Sequence, residues 1–324
     1  MHKEGKILGV KVNFIPKSVV LDKIDSYLSG DYGSVVDSNS KFPLCPKSDL
    51  DYNDDSSAVL PIICTTNPEF IISAQCDEEF LKIINSSFLS VPDGIGVIYA
   101  QKYLEILDSL KSFFSRKSCS RGFLSSKDEN DKPLKGTTME RVSGADLIYD
   151  ICYLASEKGY SVFLLGGWPT NFWGKPIKNA QFDLADEASK VLLQMFPKLK
   201  IVGATSQFSY LPKDDSATIK FIQEKMSYKG IKAIDILFVC YGQNNQEKWI
   251  HRNWSKIPAR LSLGLGGTFD YVSGHKHRSP RLFVRFHIEW LYRLITQPWR
   301  IKRIAKSCFL FPYLVITKSA KCKI

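Results

Sequence analysis

The chain lacks most of the short signatures that settle a function at sight. Its eight cysteines form no C-x-x-C pair and have no histidine at metal-ligand spacing, which excludes the usual zinc patterns and fits a reduced, cytosolic compartment. His251, His275, His277 and His287 stand without a paired nucleophile, so histidine chemistry is set aside. No G-x-x-x-x-G-K-[ST] loop is present, and Gly264-Leu265-Gly266-Gly267 does not complete a G-x-G-x-x-G fingerprint; the NTPase and dehydrogenase readings lose their support. No D-x-D motif stands at a strand end, so no metal and no cofactor is expected. Long apolar runs are missing too. Cys308–Thr317 is only about ten residues and contains Pro312, well short of the roughly 20 that span a bilayer. Met1–Val10 holds only the short apolar patch Ile7–Val10 and no secretory h-region, so the body is expected to stay where it is made.

The last absence is acid at the C-terminal end. From His275 to Ile324 there are 12 Lys or Arg against the single acid Glu289, whereas the preceding residues hold 32 bases and 32 acids. The chain thus divides into a charge-balanced body, 1–274, and a basic appendage, 275–324, interleaved with Phe, Trp and Tyr. A basic, aromatic segment too short to span suits the surface of an anionic membrane. Nucleic acid is a weaker partner for it, because no RRM, KH or zinc pattern accompanies the charge.

The body has 44% hydrophobic and 24% charged residues in the chain as a whole, the composition of a globular protein. Short apolar runs alternate with segments of helical period: Ser161–Leu165 precedes Phe182–Phe196, Lys200–Ala204 precedes Ser216–Met226, and Asp235–Cys240 precedes Asn245–Trp254. Such alternation predicts an α/β fold, a Rossmann-like and mostly parallel sheet with flanking helices and a basic helical C-terminal appendage. Two polar stretches, 31–58 and 108–138, break the pattern and read as surface insertions or loops.

In an open parallel sheet ligands collect at the carboxyl ends of the strands, so the residues following each run are the candidates. Val59–Cys64 is followed by Thr65, Thr66 and Asn67, and Phe88–Val91 by Pro92-Asp93-Gly94. Asp93 at that rim suits a general base, although a helix cap is the plainer alternative. Gly166 and Gly167 permit close approach of a phosphate. Trp249, Phe269 and Trp290 read as core residues.

Further constellations are Glu140-Arg141-Val142-Ser143-Gly144, Gln243-Asn244-Asn245-Gln246-Glu247, Gly266-Gly267-Thr268-Phe269-Asp270, His277-Arg278-Ser279-Pro280 and Glu289-Trp290-Leu291-Tyr292-Arg293. In this order, from about Ile7 to Arg303, the set resembles the WecG/TagA/CpsF family of glycosyltransferases. The resemblance implies inverting transfer of a sugar, N-acetylmannosamine-type or a related hexose, from a UDP-sugar to a polyprenyl-diphosphate-linked acceptor in surface-polysaccharide or wall-polymer synthesis. It implies a cytoplasmic protein, peripheral on the inner face of the membrane, with a second copy of the chain as a further candidate partner. Asp93 is then the expected base, with Arg141 in a second active-site motif. Thr65, Asn67, Gln246, Glu247, Gly166, Gly167, Gly266 and Asp270 are expected at the substrate, and Arg293, Arg300 and Arg303 at the diphosphate. On one continuous helix these arginines would share a face within about 80°, whereas a new helix beginning at Pro298 would break that register. The chain departs from the family pattern at Asn244, where proline is usual. The competing class is a nucleotide-sugar-binding or scaffolding protein of the same fold without turnover, against which the retained Asp93 argues.

Overall fold

A computed structural model of the chain describes residues 3–30, 59–118, 139–168, 177, 182–286 and 288–321. Strands β3 (Leu60–Thr66), β4 (Ser87–Pro92), β5 (Ser161–Gly166), β6 (Lys200–Thr205), β7 (Ile234–Cys240) and β8 (Ala259–Gly264) form one sheet in the order β4-β3-β8-β7-β5-β6, with every neighbouring pair parallel. The expected Rossmann-like α/β architecture is present.

The reason lies in strands that are apolar on both faces. Along β7, Ile236, Phe238 and Cys240 point into one hydrophobic cluster while Leu237 and Val239 point into the other, and β5 splits Val162 and Leu164 from Phe163 and Leu165 in the same way. Successive side chains of a strand face opposite sides, so a continuous apolar run needs cover on both. One layer contains α1 (Lys17–Ser29), α5 (Gly144–Lys158), α6 (Leu184–Met195) and α9 (Thr268–Val272). The opposite layer contains α2 (Pro68–Ala74), α3 (Glu78–Ser86), α7 (Asp215–Tyr228) and α8 (Asn245–Asn253).

Three features depart from the sequence-based reading. An antiparallel hairpin, β1 (Lys3–Ile7) and β2 (Val10–Phe14), lies beside β4, where the Asn13 side chain accepts from the Ser90 amide at 2.8 Å. Its two-residue turn places Leu8 at φ 52° and Gly9 at φ 82°, an unusual demand on leucine that leaves little turn signal in the sequence. The polar stretch 108–138 does not begin as a loop, because α4 runs from Ile95 to Ser118. Its remainder and the stretch 31–58 lie outside the described residues.

The third departure concerns the appendage, which is α10 (Arg281–Arg285), α11 (Glu289–Thr296), a 3₁₀ turn Pro298–Arg300, α12 (Ile301–Ala305), a π-helical turn Lys306–Leu310 and α13 (Phe311–Lys321). Pro298 opens the 3₁₀ turn, so Arg293 and Arg300 do not share a continuous helix as the spacing argument supposed. Part of the segment packs on the body. Phe311 is 1% exposed and Val315 3% exposed, and both belong to the core cluster on the α2 side of the sheet. Phe309 and Tyr313, by contrast, are exposed, and Lys318 donates to the Gln75 side chain at 2.7 Å. Among the described residues no helix is long and apolar enough to cross a membrane.

Candidate active site

The strands' carboxyl ends and the appendage enclose a cleft of about 420 Å³. Its walls include Thr65, Asn67, Asp93, Gly167, Gln246, Gly266, Asp270, Arg293, Arg300 and Arg303, so residues from both halves of the chain meet there.

Local chemistry explains how each is held. Thr65 ends β3 and donates to the Gly264 carbonyl at 3.2 Å, tying β3 to β8 at the rim. Asn67 caps α2, its Oδ1 accepting from the Phe70 amide at 3.1 Å while Pro68 takes the first helical position. Gly166 and Gly167 have φ of 87° and 86°, and a Cβ on Gly167 would lie 2.9 Å from the Phe269 ring. Side chains are thus barred at both positions, although Gly167 alone of the two faces the cleft.

Asp93 sits just beyond β4, where its amide donates to the Thr66 carbonyl at 2.8 Å. Burial pushes its carboxyl above the ordinary carboxylate range, against the pull of the neighbouring Arg141 and Arg293 and the Gly144 amide; Glu289 adds to the rise. A carboxylate short of solvent and facing a cleft is poised to take a proton. The plain helix-cap alternative does not explain this surrounding.

Arg141 lies outside the large cleft and lines the adjoining cavity, paired with Glu289 of α11. That ion pair links the body to the appendage. A second link is Arg303, whose Nη2 lies 2.5 Å from Glu69 of α2. Arg293 and Arg300 have no ion pair with an acid among the described residues. Burial lowers the proton affinity of Arg300, Tyr271 opposes, and the charges of Arg303 and Arg293 press further downward. Cations crowded together with so few acids favour an anionic ligand, and guanidinium forks suit phosphate oxygens. Asp270 also faces the cleft, paired with Lys276 at 2.9 Å.

Of Gln246 and Glu247, both expected at the substrate, only Gln246 lines the cleft. Glu247 is fully buried and does not line the cleft; it accepts from the Asn244 amide at 2.8 Å and from Gln246 Nε2 at 2.7 Å. Burial raises its carboxyl to about 7. Gln246 in turn accepts from the Gly266 amide at 2.8 Å, so the pair supports the loop after β8. Asn244 adopts φ 72°, which a proline ring fixed near −65° cannot reach. The loop backbone therefore differs from one built around the family's proline. Trp249 and Phe269 are core residues as expected, whereas Trp290 is 43% exposed because α11 turns that edge to solvent.

Sequence reasoning missed Trp168, Tyr210, Tyr271 and Trp299, which also line the cleft. Tyr210 follows β6 in a segment without a motif, and Trp299 sits in a segment read for its arginines and its membrane affinity. Among the described residues no group of three or more His, Cys, Asp or Glu is placed to hold a metal ion.

Comparison with known proteins adds the decisive observation: the model of the glycosyl transferase WecG/TagA/CpsF family matches residues 132–323, more than half of the chain. The chain belongs to the WecG/TagA/CpsF glycosyltransferase family. It is similar over most of its length to the N-acetylglucosaminyldiphosphoundecaprenol N-acetyl-beta-D-mannosaminyltransferase of Bacillus subtilis (strain 168), 28% identical over 243 residues, 75% of this chain and 74% of that protein. The protein of the same name from Staphylococcus aureus (strain MRSA252) is 26% identical over 261 residues, 81% and 82% of the two chains. As a WecG/TagA/CpsF glycosyltransferase, the chain has its arginine-rich appendage inside the matched region and Asp93 ahead of it.

Proposed function

We propose that the enzyme transfers an N-acetylmannosamine-type or related hexosyl group from a UDP-sugar to an N-acetylglucosaminyl diphosphate carried on a polyprenyl chain. The names of the similar proteins support the acceptor and the sugar, and the arginine-lined cleft supports a diphosphate-bearing donor. The observation that carries the reading is Asp93, a desolvated carboxyl at the rim, facing three appendage arginines across one cleft.

In this mechanism the acceptor hydroxyl gives its proton to Asp93 as its oxygen attacks the anomeric carbon. The bond from that carbon to the β-phosphate oxygen breaks on the opposite face, and UDP leaves with the electron pair. Attack opposite to departure inverts the anomeric centre. Arg293, Arg300 and Arg303 stabilise the charge that grows on the leaving diphosphate, the role a cation would otherwise fill. Thr65, Asn67, Gly167, Gly266 and Asp270 contact the donor, and Gln246 with Glu247 hold the Gly266 loop in place. Closure by the appendage excludes water, which would otherwise hydrolyse the donor. The protein works on the cytoplasmic face of the membrane, where the exposed Phe309 and Tyr313 and the basic residues around them meet anionic lipid.

The test is to incubate the purified chain with a panel of UDP-sugars and a short-chain prenyl-diphosphate-linked N-acetylglucosamine, and to analyse products by mass spectrometry. A mass increase of one N-acetylhexosamine with release of UDP is expected. Absence of product from every donor would overturn the reading.

A further inference from the structure

Beside the large cleft lies a second cavity of about 480 Å³, between the start of α5 and the helices α10 and α11. Ser143, Ala145, Tyr271 and Arg293 line both cavities, so they adjoin through a shared wall. We infer that this second cavity holds the diphosphate and first sugar of the acceptor, leaving the large cleft to the donor. The inference rests on the proposed function and deepens it.

Three observations carry it. Charge comes first: the walls include Arg141, Arg278, Arg285 and Arg293 against the acids Asp146 and Glu289, an excess of two positive charges. A diphosphate esterified at both ends carries two negative charges. Arg141 is paired with Glu289, and Arg278 lies 2.5 Å from Asp146, which leaves Arg285, without an acid partner among the described residues, to this cavity alone, and Arg293 on the wall shared with the donor cleft. Next comes a buried polar group with unused capacity. Gln297, also in the wall, is only 7% exposed, and its Oε1 has no hydrogen-bond partner. A buried amide without a partner costs about 1–3 kcal/mol, and an acetamido N–H or a sugar hydroxyl would supply the missing donor.

Position is the third observation. Asp93 and Gly144 line the large cleft together, and Gly144 stands between Ser143 and Ala145, the wall residues that the two cavities share. A hydroxyl presented from the second cavity thus reaches the wall it shares with the cleft that Asp93 lines. On the outer side, the segment that supplies Arg285 and Glu289 exposes Leu282, Phe286 and Trp290, at 63%, 62% and 43%. These form an apolar exit for the prenyl chain toward the bilayer.

Binding by isothermal titration tests the assignment without requiring turnover. The probe is farnesyl-diphosphate-linked N-acetylglucosamine, titrated into the full chain in saturating UDP. The wild type is expected to bind probe and UDP together. Arg285→Ala, a change at an exposed side chain, should weaken the probe by about 10- to 100-fold, the range of a lost charge-assisted hydrogen bond, and leave UDP affinity within about twofold. Gln297→Leu should weaken the probe in the same direction, while Arg300→Ala should weaken UDP instead. Competition between UDP and the probe, or unchanged probe affinity in Arg285→Ala, would overturn the inference. If the probe binds as expected yet no UDP-sugar yields product, the proposed function fails and the assignment of the cavity to a sugar diphosphate stands.

Discussion

The body and the appendage of this enzyme are held by different physics. In the body, every residue of β3, β4 and β5 is buried, and the alternation of their side chains between two clusters fixes each strand end to its place in the sheet. The appendage has short helices, breaks at Pro298 and few buried side chains. Its attachment rests on Phe311 and Val315, whose burial contributes about 1.5–3 kcal/mol each. The half-exposed Arg303–Glu69 pair adds about 1 kcal/mol or less. Apolar contacts hold the appendage on, and ion pairs set its direction. The division is also chemical, since at the cleft the body supplies the Asp93 carboxylate and the appendage the guanidinium groups of Arg293, Arg300 and Arg303.

The sharpest way to break this comparison is to silence one partner at a time. Asp93→Asn is expected to lower transfer by on the order of 10²–10⁴. The raised carboxyl has a further consequence: wild-type transfer is present above its pKa and lost as pH falls through a value above the ordinary carboxylate range. Because the ionised form is the one that burial penalises, thermal unfolding of Asp93→Asn at pH 8 should show stability equal to or above wild type. A variant that unfolds early would make Asp93 a structural residue instead.

From the appendage side, Arg300→Ala should lower transfer by about 10²-fold, the usual cost of one charge-stabilising donor. EDTA should not lower wild-type transfer, because the arginines fill the cation's role. Activity lost to the chelator and restored by Mg²⁺ would assign leaving-group stabilisation elsewhere.

Glu247 sharpens the comparison within the body. Its rise from 4.5 to about 7 corresponds to roughly 3 kcal/mol of stability, fully present below pH 4.5 and lost as pH climbs to about 7. Denaturant unfolding of wild type and Glu247→Gln at pH 5 and pH 8 should show a steeper loss in the wild type. Equal slopes would remove the buried carboxyl from the balance.

The smallest effect belongs to the membrane. Lys302→Ala with Lys306→Ala should weaken binding to anionic liposomes by about 1 kcal/mol per residue at low salt, and by less at high salt. A water-soluble acceptor should still be glycosylated. Unchanged co-sedimentation would move the lipid contact off this face.

How much of this was legible in the sequence follows the same division. The core strands were readable because doubly buried strands leave uninterrupted apolar runs such as Ile236–Val239. Asp93, Asn67 and Gly167 were readable because strand ends with turn residues mark a rim. The hairpin was not, since its turn uses Leu8-Gly9 in place of a residue that favours positive φ. Glu247 read as a substrate-contacting residue, because nothing local reveals that its carboxylate is enclosed by the Gly264 strand end and Gln246. The arginines were legible through the resemblance more than through helical spacing, since tertiary docking rather than one helical face brings Arg293, Arg300 and Arg303 to the cleft.

Lys276 and Arg278 open the appendage on the body acids Asp270 and Asp146, and further along two ion pairs of opposite polarity follow. In one the body gives the arginine and the appendage its only acid, Arg141 to Glu289; in the other the body gives Glu69 and the appendage Arg303. A segment so uniformly positive has no directional preference from its net charge, and any acidic patch would attract it in many orientations. The crossed pairs work like a keyed connector with one pin and one socket on each half. Reversing the appendage end for end would set Arg303 against Arg141 and Glu289 against Glu69, two repulsions in place of two attractions. A single glutamate in fifty residues thus adds to a positively charged segment a contact that its other ion pairs, all cation to body acid, do not duplicate.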